Sequence, residues 1–92
     1  MRIYKYTVPL QFGTHEIVVP RYCTILKDWI IQGDSLCAYG YVNPDQTETA
    51  TLQVGIAPTG GDLHGDLFKP AHHVATLSSG GLVYHIFARG IS

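Results

Sequence analysis

An all-β domain, either a small antiparallel β-sandwich or a half-open barrel of about seven strands, is what three features of the chain predict. Apolar residues almost nowhere recur at the three-to-four-residue spacing of an amphipathic helix. β-Branched and aromatic residues are frequent, and Gly, Pro, Asn or Asp interrupts them at short intervals.

The first strand is expected over Arg2–Val8, where alternation puts Tyr4, Tyr6 and Val8 on one face; Pro9, which has no N–H for a ladder, ends it. The second runs from about His15 to Val19, with Ile17 and Val19 facing together, and Pro20 stops it. A third strand, Thr24–Gln32, alternates poorly. Ile25, Trp29 and Ile31 share one face while Leu26 and Ile30 share the other with Asp28, so both faces call for cover. Gln32-Gly33-Asp34-Ser35 supplies a tight turn, and Leu36–Val42 returns as the hairpin partner with faces Leu36/Ala38/Gly40/Val42 and Cys37/Tyr39/Tyr41. After the polar connection Asn43-Pro44-Asp45-Gln46, Thr49–Ile56 alternates most regularly, with Ala50, Leu52, Val54 and Ile56 inward. Ala57–Ala71 reads as a long irregular loop rich in Gly, Pro and Asp. The final hairpin pairs His73–Ser78 with Leu82–Ala88 through Ser79-Gly80-Gly81. Without an internal repeat or linker, residues 1–92 form one domain.

Composition narrows the functional classes. Hydrophobic residues make up 46% of the chain and charged residues only 14%, against about 25% in an average soluble protein. A small domain so short of solubilising groups is expected to cover part of its surface in a homo-oligomer, through an exposed sheet edge or face. The net charge is −1 and Lys and Arg are dispersed, so no basic stripe exists to hold polymeric nucleic acid. No apolar run approaches the roughly 20 residues of a membrane helix, and the N-terminus with Arg2 and Lys5 does not read as a signal peptide, which makes the cytoplasm the expected compartment. Cys23 and Cys37 are too few for a disulfide framework and read as reduced, partly buried thiols.

Loops longer than about 12 residues in compact domains commonly carry function, which directs attention to Pro58-Thr59-Gly60-Gly61-Asp62-Leu63-His64. Thr59-Gly60-Gly61 can present successive backbone N–H groups to phosphate oxygens as an anion nest does, although the spacing of a P-loop is missing and such a run is most often only a turn. His64, His72 and His73 lie close in sequence, but adjacent histidines in an extended segment point to opposite faces, which favours solvated or hydrogen-bonded roles over metal ligation; no metal and no cofactor is expected. His85 shares a face with Val83 and Phe87 and fits a packed histidine better than a catalytic base, since no nucleophile accompanies it. Ser78 and Ser79 lack a nucleophile elbow. Tyr4, Tyr6, Trp29, Tyr39 and Tyr41 either pack the core and subunit contacts or stack a base. Arg21 and Arg89, near element ends, are the guanidinium groups best placed for an anion, although exposed salt-bridging or solvation fits either one alone better.

Tyr4-Lys5-Tyr6, Ile25-Leu26, Gln32-Gly33, Leu36-Cys37, Val42-Asn43-Pro44, Ala75-Thr76-Leu77 and above all Gly80-Gly81-Leu82-Val83-Tyr84-His85-Ile86-Phe87 carry a resemblance over Met1–Phe87. By these blocks the chain resembles a family of small uncharacterised proteins of phages, prophages and bacteria. It departs from similar chains where they carry Gly-Thr-Gly-His, of which Thr59 and Gly60 match here, and where they carry a Trp, near which this chain has Tyr39. The resemblance implies expression inside an infected bacterium. Phage proteins of similar size and build act as sponges for cyclic nucleotides or cyclic ADP-ribose signals, and the analogy of setting extends that expectation to this chain.

The resulting expectation is a host-cytoplasmic anti-defence protein, not an enzyme, that binds and sequesters a nucleotide-derived immune signal. Its ligand residues are expected to be Thr59, Gly60, Gly61 and His64, with Tyr39, His73 and Arg89 contributing. A protein-binding inhibitor or accessory structural phage protein docking through an exposed sheet face is the alternative. A small phosphodiesterase-like enzyme using His64, His72 or His73 ranks third.

Overall fold

The computed structural model describes residues 1–91 and shows an all-β sandwich of two antiparallel four-stranded sheets. One sheet contains β1 (Arg2–Pro9), β3 (Thr24–Ile25), β4 (Ile30–Gln32) and β5 (Ser35–Val42). The other runs in the order β2 (Gly13–Pro20), β6 (Thr49–Pro58), β8 (Leu82–Ile91), β7 (His73–Ser79). The strands near Pro9 and Pro20 end there, as a residue without an N–H dictates. At the β7–β8 hairpin, Gly80 and Gly81 both take positive φ (58° and 81°), as a two-residue type I′ turn requires.

Alternation decides which side chains meet. Val8, Leu36 and Ala38 of the first sheet face Val19, Leu52, Val54, Ile56 and Ile86 of the second across one apolar core, which Trp29 and Tyr84 complete. Each of the larger aliphatic side chains contributes about 1.5–3 kcal/mol by leaving water. Phe12, in the turn after β1, stacks on Tyr84 with ring centroids 5.3 Å apart and closes one end.

The expected third strand is corrected by the structure. Residues 24–32 split into β3 and β4, which pair with opposite ends of β5: Thr24 opposite Tyr41, and Ile30 opposite Cys37. Between them, the Leu26 N–H, donated to the Tyr39 carbonyl, ties the intervening segment to β5. The physical reason is the poor alternation of this segment. A continuous strand cannot bury Trp29 in the core while leaving Lys27 and Asp28 in water, so the backbone leaves the ladder, Trp29 drops to 5% exposure and the two charged residues stay exposed.

The 57–71 connection is also more ordered than an irregular loop. It contains two single 3-10 turns, Asp66–Phe68 and Pro70–His72, and folds back on the outer face of the second sheet. There Leu67 and Phe68 pack with Ala57 and Phe87 as a second, smaller apolar cluster, and Phe68 meets Phe87 edge to face at 5.4 Å. Gly55 makes the seat: a Cβ at this position would lie 2.7 Å from the Phe68 ring. Gly55→Val is therefore expected to displace Phe68 and destabilise the fold by about 1–3 kcal/mol through overpacking. Urea unfolding should show a lower midpoint, and limited proteolysis should cut within residues 59–72 faster than in the wild type.

Candidate functional site

The residues singled out in the sequence fall into three places. Thr59, at the end of β6, hydrogen-bonds His85 Nε2 at 2.7 Å; His85 Nδ1 lies 3.2 Å from the Thr76 hydroxyl, which in turn bonds His73 Nε2 at 2.9 Å. This chain of two hydroxyls and two imidazoles runs across β6, β8 and β7 on the outer face of the second sheet, with the His73 ring edge-on to Phe87 at 5.4 Å. Every imidazole nitrogen except His73 Nδ1 has a neighbour within the chain, so the arrangement fastens the start of the long connection to the sheet. Gly60, Gly61 and His64 lie exposed beyond it.

His64 borders a shallow depression of about 370 Å³ together with Phe12, Pro58, Asp62, Leu63 and Phe68. Asp62 is the charged residue among its lining, which opposes capture of a phosphate there. Tyr39 is on the other sheet, opposite Lys5, and does not join the loop residues. Arg89 is held at the far end of β8, its Nε donating to Gln53 Oε1 at 2.8 Å. Among the described residues no group of three or more His, Cys, Asp or Glu is gathered to hold a metal ion, and no helix is long and apolar enough to cross a membrane.

The larger concavity is elsewhere. Where the split between β3 and β4 leaves the first sheet short, a cleft of about 620 Å³ opens between the sheets, within the usual range of small-molecule sites. Val19, Ile25, Trp29, Leu52 and Ala88 form apolar walls, and Val74, the extra residue of a bulge between β7 and β8, adds to them. Arg21, Lys27 and Arg89 all border it, and among the described residues no carboxylate side chain lines it. Glu48 reaches Arg21 from outside, with Nη1 to Oε2 at 3.0 Å, an exposed pair worth about 0–1 kcal/mol. The cleft thus joins an apolar body to a basic rim.

Its mouth is shaped by the turn Pro20-Arg21-Tyr22-Cys23. The Cys23 N–H donates to the Pro20 carbonyl at 3.2 Å, and Tyr22 has φ 64°, the signs of a type II turn, in which that position normally takes Gly or Asn. Tyr22 is the one non-glycine residue with positive φ among those described. A left-handed conformation costs an ordinary residue about 1–2 kcal/mol, so the turn holds strain at the edge of the cleft. The ring is 78% exposed, and the Arg21 guanidinium carbon sits 5.1 Å from its centroid. Among the described residues, Arg21 Nε is buried without a hydrogen-bond partner. So is the hydroxyl of Tyr6, whose ring lies over Gly40.

Burial pushes the Cys23 thiol above its ordinary value, and burial, with the neighbouring Cys23 and Tyr4, does the same to Tyr6. Both groups are neutral at pH 7, so Cys23 offers no thiolate to act as nucleophile there.

The sequence identified Arg21 and Arg89 as anion-binding candidates but not the cleft that unites them, nor Tyr22 and Lys27. One signal was available. From Thr14 to Gln32 there is no glycine, so a reversal after Pro20 of a type that needs a positive φ falls on some other residue, here Tyr22.

The chain belongs to the family described as domain of unknown function DUF7352, whose model matches residues 1–91. No curated protein and no solved structure matches it.

The thiol carries a pH dependence. In the unfolded chain Cys23 loses its proton near the ordinary value of 9.0, whereas the folded protein keeps it to higher pH. The stability contributed by the neutral buried thiol is therefore complete below that value and lost as pH rises past it. Chemical denaturation at stepped pH should show a decline in this alkaline window that is shallower in Cys23→Ala.

Proposed function

We propose that this protein is a non-catalytic binding module that captures a nucleotide-derived signalling molecule in the cleft between its sheets and keeps it from its receptor. Three basic residues, Arg21, Lys27 and Arg89, are among those bordering an apolar cleft that also holds Trp29, and this carries the reading. An aromatic base suits a cleft that offers apolar walls and, at its mouth, an aromatic ring, and phosphate oxygens suit guanidinium groups, which bind them through paired, charge-assisted hydrogen bonds. The neutral Cys23 thiol and the internally bonded His73 and His85 favour holding the ligand over cleaving it. The finer expectations belong to the same proposal: a phage-encoded anti-defence sponge, acting in the bacterial host cytoplasm as a homo-oligomer. The edge strands β1 and β2, eight residues each, support oligomer formation, since among the described residues each pairs on one side only.

One observation favours a second reading. On the outer face of the first sheet, Ile3 and Tyr41 sit opposite each other and are 59% and 44% exposed, an apolar cross-strand pair suited to a protein partner. Such a protein would act as an inhibitor or an accessory structural component and would not need the cleft.

Native mass spectrometry with cyclic mononucleotides, cyclic dinucleotides and cyclic ADP-ribose separates these readings. A stoichiometric mass gain, released unchanged on denaturation, is the expected result. Arg89→Ala should weaken it by about 10- to 100-fold, the worth of a charge-assisted hydrogen bond, whereas His64→Ala should leave it unchanged. Retained binding in Arg89→Ala with loss in His64→Ala would return the site to the glycine-rich loop. Recovery of hydrolysed ligand would make the protein an enzyme, and no gain with any nucleotide would favour the sheet-face reading.

A further inference from the structure

We propose that Tyr22 is the specificity-determining residue of the cleft, stacking the planar base of the bound nucleotide on the ring face that Arg21 leaves open. This rests on the proposed binding function and goes beyond it by naming the residue that separates nucleotides from other phosphorylated molecules.

Three independent features meet at this residue. The ring is 78% exposed although it borders an apolar cleft, so packing does not explain an aromatic side chain there. Its backbone occupies the left-handed region at φ 64°, where glycine or asparagine would relieve the strain of the Pro20–Cys23 turn. Its neighbour Arg21 lies over one face of the ring with the guanidinium carbon 5.1 Å from the centroid. An aromatic ring with a cation on one side and solvent on the other is a stacking platform with one vacancy.

The turn also sets the direction of the charges. Arg21 is fixed from both ends: its N–H donates to the Glu48 carbonyl at 2.9 Å, and its Nη1 bonds the Glu48 carboxylate. The guanidinium lies against Tyr22, while Arg89 and Lys27 border the same cleft. A base on the open face of Tyr22 leaves the sugar and phosphate to run toward that basic rim. Inorganic phosphate or a sugar phosphate would meet the rim charges but leave the ring unused.

The test compares cyclic AMP with ribose phosphate, binding measured by isothermal titration calorimetry and, for the weaker ligand, by NMR titration, in Tyr22→Gly, Tyr22→Phe and Arg89→Ala. Tyr22→Gly should weaken cyclic AMP by about 10- to 100-fold, the usual worth of one base–aromatic stack, and leave ribose phosphate unchanged. Tyr22→Phe keeps the ring and should bind as the wild type. Thermal melting of Tyr22→Gly should be no lower than wild type, because glycine accepts the left-handed conformation. Arg89→Ala should weaken both ligands. If Tyr22→Gly binds cyclic AMP normally while Arg89→Ala does not, the role given to Tyr22 is wrong and the cleft remains the site. Equal loss of both ligands in Tyr22→Gly would reduce Tyr22 to a support for Arg21 and overturn the proposal. Absence of cyclic AMP binding in the wild type would overturn both the proposal and its premise for this ligand.

Discussion

The inability of residues 24–32 to run as a single strand determines more of this structure than any one contact. β5 is the strand to which β1, β3 and β4 all pair, so the first sheet is built around one central ladder. Had the third segment paired along its whole length, it would have extended that sheet across the apolar side chains of β6 and β8. Trp29 instead turns into the core, the charged pair Lys27 and Asp28 turns to water, and the ladder lapses between Ile25 and Ile30. The conflict between burying an indole and solvating two charges within three residues is local. Its consequence is an opening between the sheets large enough for a ligand.

Much of the fold was legible because it depends on alternation and turn chemistry. Thr49–Ile56 declared its inner face, and β6 places Leu52, Val54 and Ile56 in the core as that pattern requires. The hairpin closed by Gly80-Gly81 was equally plain, since two successive positive φ angles ask for such a pair. The division of 24–32 into β3 and β4 was visible only as irregular alternation. Periodicity reports that a segment is ill suited to one strand, but not where it will leave the ladder. The partition between two sheets was less legible still, since it depends on which edges meet in three dimensions.

The loop residues named from the sequence and the cleft lie in different parts of the fold, and the reason is physical. The glycine-rich connection attracts attention because it is long and conformationally permissive; its two ends are tied to the sheet while residues 60–66 stay exposed. Phe68 lies on Gly55, Leu67 is buried with Phe87, and Thr59 is bonded to His85. Gly55, in the middle of β6, was the informative glycine: its missing side chain admits a ring from a segment 13 residues later, and no local pattern announces such a long-range fit. Arg21 and Arg89 could be noted singly as possible anion binders, but they are 68 residues apart, and only the strand order β2-β6-β8 of the second sheet brings them to one cleft.

Strain and unmet polarity at the cleft mouth bear on how tightly a ligand could be held. Sequestration at nanomolar concentration requires about −12 kcal/mol, a demand that area burial alone does not meet once association entropy is charged against it. Preorganisation closes part of that gap. Under the proposed function, the backbone of the turn, set by the φ of Tyr22 and by the Arg21 N–H to the Glu48 carbonyl, would need little further ordering when a ligand arrives. The unpartnered Arg21 Nε tells in the same direction, because a buried polar atom without a partner is a cost the folded protein bears before any ligand binds. Natural domains commonly place such costs where function requires them and recover stability elsewhere, here from the continuous apolar core between β5, β6 and β8. That division makes the cleft mouth, rather than the better-satisfied outer face with its Thr–His chain, the part of the molecule whose sequence is least explained by folding alone.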